Sequence, residues 1–345
     1  MTEITRYEID MIDVKAADAF LIHAYVKFNK TDEYEYVVLV DAGNEGDGEK
    51  IINHINTYYT QKYIDLVIIT HCDNDHYGGM KYLIKQHNNP YSTFRINNIW
   101  IHDPFQHVNI DDVKYIRNNK TLRERLNAAY KFSDDTNLIE IIDKANIKRE
   151  EPFIGLEYAP LNIKVLGPDK AFYESLIPNF RVDLDFKDEQ TDDEYKGMVT
   201  FTQSEDEFYS KTLESSSDDS SKVNQSSVIF KMNAKGKTLL FTGDAGKEAI
   251  HRIIDNDWLK HLKDIYFLKV PHHGSKHNLD NAIISYLHPK VSYISTEKYG
   301  KYANRCTINA LKKIGAVFST HQNRSSIWHP EGTADRNDYS NAIPL

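Results

Sequence analysis

Short apolar runs separated by turn residues dominate the first 80 positions, and they predict strands. The pattern predicts strands at 7–14 and 19–22, and a buried strand at 36–40 that stops where Gly43 permits a sharp turn. Residues 64–70 form another apolar run of strand character. The early chain is therefore rich in β-structure.

Helical and strand patterns alternate through the remainder of the chain. Helices are predicted at about 48–59, 80–87, 246–254, 281–287 and 307–314. Further strands are predicted at 92–101, 161–166, 264–270 and 291–295, and a hairpin joins 228–230 to 238–241. This alternation predicts an α/β protein in which two sheets are covered by helices.

Two segments depart from the alternation and are interpreted as insertions in a single domain spanning residues 1–345. The pattern over 108–147 is polar and helical, which predicts a helical insertion at about 105–150. Residues 180–222 are rich in Asp, Glu and Ser and contain too little apolar surface to order themselves, which predicts a flexible insertion.

The composition limits the possible cellular location of the protein and the partners it can bind. The 345 residues carry a formal net charge of -9, which argues against a broad basic face for nucleic acid but allows a local basic groove. The sequence contains neither a membrane-spanning apolar run nor a signal-peptide pattern. Two cysteines, Cys72 and Cys306, make no disulfide framework. We expect a cytoplasmic protein without a membrane association.

The densest candidate chemistry lies directly after the 64–70 strand. His71, Asp73, Asp75 and His76 place four good ligands within six positions of a loop. Imidazole and carboxylate suit divalent transition metals, and carboxylate oxygen favours harder ions such as manganese. Taken alone, a polar turn with surface histidines explains the same residues.

Two further strand ends carry ligand-type side chains. Asp244 follows the apolar run 238–241 at a glycine turn, and the pair His272 and His273 follows the strand at 264–270. Gly-Asp turns are common and paired histidines can bond each other at a surface, so each is weak evidence alone. Three such strand ends in one chain predict a shared metal site.

Together these residues give the sequence a family resemblance. The matching segments, in order, are MIDVKAADAFLI at 11–22, LVDAG at 39–43, THCDNDHYGG at 70–79, NQSSV at 224–228, LFTGDA at 240–245 and KVPHHGS at 269–275. The chain resembles the metallo-β-lactamase fold superfamily, and within it the ComEC-type hydrolase domain of bacterial DNA-uptake proteins. The resemblance implies an αββα sandwich of two mixed sheets flanked by helices.

The resemblance also implies a ligand set for two divalent ions, zinc or manganese. Asp75 and His76 would bind one ion and His71 the other, Asp244 would bridge both, and His273 would complete the second site, with His272 as the lesser candidate. Asp73 stands where many members of the superfamily have a histidine. Another histidine is replaced in the region of Asn224, a possible weak ligand, so we expect one ion to be held more loosely.

The implied activity is phosphodiester hydrolysis by a hydroxide held between two metal ions. Asp75 would orient the hydroxide, and Lys269 and Ser275 would contact the phosphate; a solvated lysine is the alternative for Lys269. The expected substrate is a nucleotide or a short nucleic acid. The alternatives are an acyl-bond hydrolase acting on a lactone, β-lactam or thioester, and a metal-stabilised scaffold. The insertions would then serve a protein partner or a homo-oligomer.

Overall fold

The computed structural model describes residues 3–28, 32–109, 111–117, 119–132, 136–182, 203–256, 262–297, 303–323, 327–328, 336 and 342–345. The strands are β1 (Glu3–Met11), β2 (Phe20–Lys27), β3 (Glu33–Val40), β4 (Tyr63–Ile64), β5 (Leu66–Ile68), β6 (Arg95–Ile96), β7 (Asn98–Trp100), β8 (Lys148–Glu150), β9 (Glu157–Tyr158), β10 (Ile163–Gly167), β11 (Ile229–Ala234), β12 (Lys237–Phe241), β13 (Phe267–Lys269), β14 (Val291–Ile294), β15 (Ala316–Ser319) and β16 (Ile327–Trp328).

Helices connect and cover these strands. They are α1 (Gly48–Tyr58), α2 (Asn74–Tyr77), α3 (Met80–His87), α4 (Leu122–Leu126), α5 (Leu138–Lys144), α6 (Lys170–Leu176), α7 (Gln203–Ser215), α8 (Lys222–Gln225), α9 (Lys247–Ile254), α10 (Asn281–Leu287), α11 (Arg305–Lys312) and α12 (Thr320–Asn323). Single 3-10 turns lie at Pro104–Gln106, Val113–Tyr115, Ala159–Leu161, Ile177–Asn179 and His272–Gly274. Within the described part of the chain, none of the helices has the length and apolarity needed to cross a bilayer.

The strands form two large mixed sheets. One has the order β16-β1-β2-β3-β5-β7-β8, and the other has the order β15-β14-β13-β12-β11-β10-β9. The strands β3, β5, β7 and β8 run parallel in the first sheet, as do β12 to β15 in the second. The remaining neighbours in each sheet pair antiparallel, as the predicted mixed sheets require.

Side chains on both faces of each sheet are buried, which is why the strands read as continuous apolar runs. In β3, Val38 belongs to the cluster between the sheets, and Leu39 belongs to the cluster under the helices. In β12, Phe241 faces the other sheet whereas Leu240 faces the helical layer. This two-residue alternation between two buried faces is expected for an αββα sandwich and confirms the predicted fold class.

Two predicted strands are interrupted: the strand at 92–101 is divided at Asn97 into β6 and β7, and the strand at 64–70 is divided as well. The prediction of a single strand over 64–70 is wrong at Asp65, which separates β4 from β5 and leaves β4 paired with β6 in a small sheet of their own. The Asp65 carboxylate accepts hydrogen bonds from Val37 N, at 2.8 Å, and from Gln61 Nε2, at 2.6 Å. The side chain thus takes a backbone donor of the neighbouring strand β3.

The region 105–150 contains short helices rather than the continuous polar helical pattern that the sequence predicted over 108–147. It holds α4, α5 and 3-10 turns, and it ends in β8 at the edge of the first sheet. Arg125 of α4 is completely buried and donates to the carbonyl oxygens of Phe180 (2.7 Å) and Pro178 (2.9 Å). The arginine therefore ties this region to the residues after α6.

The prediction of a flexible segment at 180–222 is wrong for its second half. Residues 203–215 form α7, in which Leu213 is buried, and α11 packs against this helix. Asp218 then accepts hydrogen bonds from Lys247 N and Glu248 N, at 2.7 Å and 2.9 Å. Acidic side chains are ordered here because they bind backbone donors rather than apolar surface. Residues 183–202 lie outside the described residues.

Candidate metal centre

The loop after β5 is held by the buried carboxylate of Asp41, at the end of β3. Its two oxygens accept hydrogen bonds from Thr70 N and Thr70 Oγ1, both at 2.8 Å. Beyond the loop, a Cβ on Gly79 would lie 2.2 Å from the Ala42 carbonyl oxygen, so only glycine allows this approach. The run 71–76, which ends in α2, is therefore held at the ends of β3 and β5 and is not a surface turn.

His76 lies at the centre of the cluster and is completely buried. Its Nδ1 lies 2.8 Å from Asp41 Oδ2, and its Nε2 points to two other carboxylates. Nε2 is 3.3 Å from Asp244 Oδ2 and 3.8 Å from Asp75 Oδ2. A carboxylate behind a histidine is the arrangement that orients a metal-binding imidazole.

His273 approaches the same carboxylates from the second sheet. Its Nδ1 donates to the Ser295 carbonyl at 3.0 Å, and its Nε2 is 3.4 Å from Asp75 Oδ2 and 3.8 Å from Asp244 Oδ2. Both His272 and His273 have positive φ angles, 44° and 51°. Non-glycine residues adopt this region at an energetic cost, which is common where a side chain must be aimed at a functional site.

His272 also turns its Nε2 toward the cluster, 3.9 Å from Asp244 Oδ2. Its Nδ1 lies 2.9 Å from Asp219 Oδ2, and Asp219 accepts amide hydrogen bonds from Asn224 (2.9 Å) and Asn278 (3.0 Å). Asp219 therefore has the same relation to His272 that Asp41 has to His76. His272, the lesser candidate of the sequence prediction, therefore also directs a ring nitrogen toward Asp244.

His71 completes the set of four imidazoles. Its Nδ1 is 3.1 Å from Thr70 Oγ1 and 3.3 Å from Ser227 Oγ, and its Nε2 is 3.5 Å from Asp73 Oδ2. Each of the four histidines thus has Nδ1 beside an oxygen of the surrounding protein and Nε2 directed toward a carboxylate.

The donor set fits divalent cations. His71, His76 and Asp244 offer ligand atoms that all lie within 4.8 Å of one another, and so do Asp75, His76 and His273. The Nε2 atoms of His71 and His76 and the Oδ1 atom of Asp244 are buried without a hydrogen-bond partner among the described residues. Buried polar atoms are costly unless they are paired, so a cation bound among these atoms would be stabilising.

The electrostatics of the cluster point the same way. Burial alone would lower the pKa of His272, but Asp244 and Asp219 raise it to about 9. Burial would also lower the pKa of His76, which Asp244, Asp41 and Asp75 hold well above its ordinary value. The pKa of Asp244, which burial would raise, is held well below its usual range by His76, His273 and His272. The site concentrates negative charge that protons or cations must balance.

Lys269 and Ser275 do not lie where the sequence prediction requires. Lys269 is buried, forms an ion pair with Asp18, donates to the Gly243 carbonyl at 2.9 Å and lies 3.6 Å from Asp244 Oδ1. Its ammonium group is therefore engaged with Asp18, the Gly243 carbonyl and Asp244 inside the protein. The Ser275 hydroxyl is buried and accepts a hydrogen bond from His277 N, at 3.2 Å, within the turn.

Asn224 lies beside the cluster as the motif suggested. Its Nδ2 is bound to Asp219, whereas its buried Oδ1 has no hydrogen-bond partner among the described residues. The side chain can therefore offer its oxygen to a cation or to a water.

Four residues around the site escaped the sequence prediction: Asp18, Asp41, Arg181 and Asp219. Asp41 had a signal, because it follows an apolar strand and precedes a glycine as Asp244 does. Arg181 and Asp219 lie in the segment that composition assigned to a flexible insertion. Asp18 lies in the turn before β2, where no apolar strand directly precedes it, so the local pattern does not predict a buried carboxylate.

Comparison with known proteins agrees with this geometry. The family model of the metallo-beta-lactamase superfamily matches residues 31–124, which include the 71–76 run. Over these residues the chain is similar to this superfamily. ComE operon protein 3 of Bacillus subtilis (strain 168) is 23% identical over 358 residues, a match that covers 95% of this chain and 35% of the relative. The chain therefore spans about a third of that relative's length, and the match supports the resemblance to the ComEC-type subgroup.

Solved structures of this fold are more distant. The metallo-beta-lactamase fold protein YhfI from Bacillus subtilis has a TM-score of 0.45 at 11% identity and covers 94% of this chain and 99% of its own. A long form RNase Z from yeast has a TM-score of 0.40 at 10% identity and covers 94% of this chain and 42% of its own. Similarities this weak support no functional conclusion.

Proposed function

We propose that this protein is a metal-dependent phosphodiester hydrolase. The observation that carries the proposal is the common orientation of four imidazoles, each with Nδ1 beside a protein oxygen and Nε2 directed to Asp73, Asp75 or Asp244. Histidines oriented in this way around carboxylates are typical of metal centres. A metal-stabilised scaffold would hold ions with the same residues but would cleave no substrate, which the substrate panel below tests.

The residues divide into two groups that share Asp244. The resemblance implied that His273 would join His71, but His273 Nε2 lies 3.4 Å from Asp75 Oδ2. Asp75, His76 and His273 would therefore hold one divalent ion, and His71, Asp73 and His272 would hold the other, with Asn224 as a weak additional ligand. We propose manganese or zinc, since the set combines imidazole with several carboxylate oxygens. Bound ions of this kind lower the pKa of a coordinated water and stabilise negative charge on an attacked phosphate.

The chain's own residues position these ligands and manage the protons. Asp75 is the most accessible carboxylate of the cluster, with its side chain 33% exposed, so it can accept a hydrogen bond from the attacking water and orient it. Asp41, Asp219 and the Ser295 carbonyl fix the imidazole rings. Lys269 offsets the charge of Asp18 and Asp244 and keeps Asp244 in place.

The substrate class is inferred from the ligand set. An oxygen-rich centre in a ComEC-type chain favours a phosphodiester, such as a nucleotide or a short nucleic acid, over a lactone, β-lactam or thioester. The net charge of -9 disfavours long duplex DNA, whose affinity depends on phosphate contacts.

We further propose one domain over 1–345 and a cytoplasmic location, where the buried thiols of Cys72 and Cys306 would stay reduced. The segments 105–150 and 180–222 are the proposed surfaces for a protein partner or for a second copy.

A substrate panel tests the function. The protein is stripped with a chelator, reloaded with Mn²⁺ or Zn²⁺, and assayed on bis(p-nitrophenyl) phosphate, nitrocefin, a lactone and a thioester. We expect metal-dependent cleavage of the phosphodiester and its loss in Asp244→Asn, with Asp10→Asn as the buried-carboxylate control outside the site. Hydrolysis of an acyl substrate without phosphodiester cleavage would refute the proposal.

A further inference from the structure

Arg181 brings a fixed positive charge to one side of the proposed metal centre. Its Nη1 forms an ion pair with Asp73 Oδ1, and its Nη2 donates to the Cys72 carbonyl at 2.5 Å. The side chain is only 12% exposed, so water screens this charge weakly. Burial alone would raise the pKa of Asp73, but Arg181, followed by His71, holds it below its usual range.

The same carboxylate also faces the cluster. Asp73 Oδ2 lies 3.5 Å from His71 Nε2, a spacing at which the two atoms can ligate one cation. Asp73 is therefore shared between a guanidinium, which stays charged at all accessible pH values, and a candidate metal position. The positive guanidinium offsets the negative charge of the carboxylate and repels a cation placed beside it.

On the other side of the centre, the described residues place no arginine or lysine in an ion pair with Asp75. Among the described residues, the ion-pair partners of Asp75 are His76 and His273, and neither is permanently charged. Lys269 lies near Asp244, which both groups share, so it does not distinguish them. Besides the different ligands of the two sides, the described residues thus differ in one permanent charge, that of Arg181 beside Asp73.

We propose that Arg181 makes the two metal positions unequal, weakening cation binding on the His71–Asp73 side and leaving the Asp75–His76–His273 side as the tight position. The inference rests on the proposed metal centre. It assigns Arg181 a positioning role that neither the sequence motifs nor the superfamily match supplies.

Titration calorimetry of Mn²⁺ into metal-stripped protein, with elemental analysis after gel filtration, tests this role. We expect the unmodified chain to bind one ion tightly and a second at least about 10-fold more weakly. Arg181→Gln should tighten the second ion about 10-fold or more, and Arg181→Lys should retain most of the weakening because it keeps the charge. Arg252→Gln, which removes an arginine paired with Asp169 at 3.1 Å outside the site, should match the unmodified chain.

Asp73→Asn provides a second, independent variant if Arg181→Gln does not fold. It should abolish the weak ion and leave the tight ion within about threefold. In the double variant with Arg181→Gln, the gain in second-ion affinity should disappear, because the two residues act through one carboxylate.

The outcomes separate the two proposals. If the unmodified chain binds two ions equally and Arg181→Gln changes neither, the role of Arg181 is refuted while the metal centre stands. A loss of the tight ion in Asp73→Asn also refutes it. If neither the unmodified chain nor any variant binds Mn²⁺ or Zn²⁺, the metal centre itself is refuted.

Discussion

Replacement of Asp41 by asparagine tests whether the carboxylates behind the histidines serve metal binding. Asp41 Oδ2 lies 2.8 Å from His76 Nδ1 and 2.8 Å from Thr70 Oγ1, and Oδ1 accepts from Thr70 N. Asparagine has the same shape but one acceptor oxygen and no charge. It would leave a donor unsatisfied and make the imidazole of His76 a poorer ligand.

The expected loss follows from that position. Carboxylates directly behind a metal-binding histidine contribute about 10- to 100-fold to affinity, or about 1.4–2.8 kcal/mol. We expect Asp41→Asn to weaken the tighter Mn²⁺ site by this factor in a calorimetric titration of stripped protein. Circular dichroism confirms that the variant is folded.

Asp10→Asn is the matched control, because Asp10 is also a completely buried carboxylate beside a histidine. It lies 2.7 Å from His54 Nε2 and accepts a 2.5 Å hydrogen bond from the Tyr59 hydroxyl, within a network outside the centre. This variant should lose stability without losing Mn²⁺ affinity. An Asp41→Asn affinity within about threefold of the unmodified chain would refute the assignment of Asp41 and His76.

Four further predictions follow from the same geometry. The pKa of His272 is raised to about 9 and that of His76 is also raised, so a binding cation must displace protons from these rings. Mn²⁺ affinity should therefore rise up to about 10-fold per pH unit between pH 6 and 8, and calorimetry in two buffers should detect proton release. A pH-independent affinity would contradict the assignment of these histidines as ligands. Lys269→Met should lower the free energy of unfolding in urea by about 3–5 kcal/mol, because Asp18 and Asp244 lose their buried cationic partner. Unchanged stability with lost turnover would instead indicate that Lys269 contacts the substrate. Ser275→Ala should keep kcat/KM within about threefold, and a loss of 100-fold would place its hydroxyl in the reaction. Arg125→Leu should lower the free energy of unfolding by at least about 1–3 kcal/mol, since the carbonyls of Phe180 and Pro178 lose a donor. Chemical unfolding measures this change, and an unchanged denaturant midpoint would contradict the prediction.

The sequence predicted the layers of the fold because the strands are buried on both faces. Runs such as 36–40 and 238–241 are apolar at every position, and the turn residues after them mark the strand ends. The boundaries were less accurate where a side chain takes a backbone partner, as Asp65 does with Val37. That interaction depends on a residue 28 positions away, and local pattern does not report it.

The candidate site was predictable where ligands cluster in sequence and not where they meet only in the fold. The 71–76 run and the histidine pair were visible because several ligand types stand together. Asp219 and Arg181 were hidden in a stretch whose composition predicts a flexible loop. Their order comes from polar partners, since Asp219 binds His272, Asn224 and Asn278, and Arg181 binds Asp73.

The most direct test of the metal centre is an anomalous diffraction experiment on crystals of the Mn²⁺-loaded protein. The account predicts a strong peak within about 2.0–2.3 Å of the Nε2 atoms of His76 and His273 and of a carboxylate oxygen of Asp75 or Asp244. A weaker peak should lie beside His71 and His272. The absence of a peak between these side chains, in protein that cleaves a phosphodiester, would contradict the account.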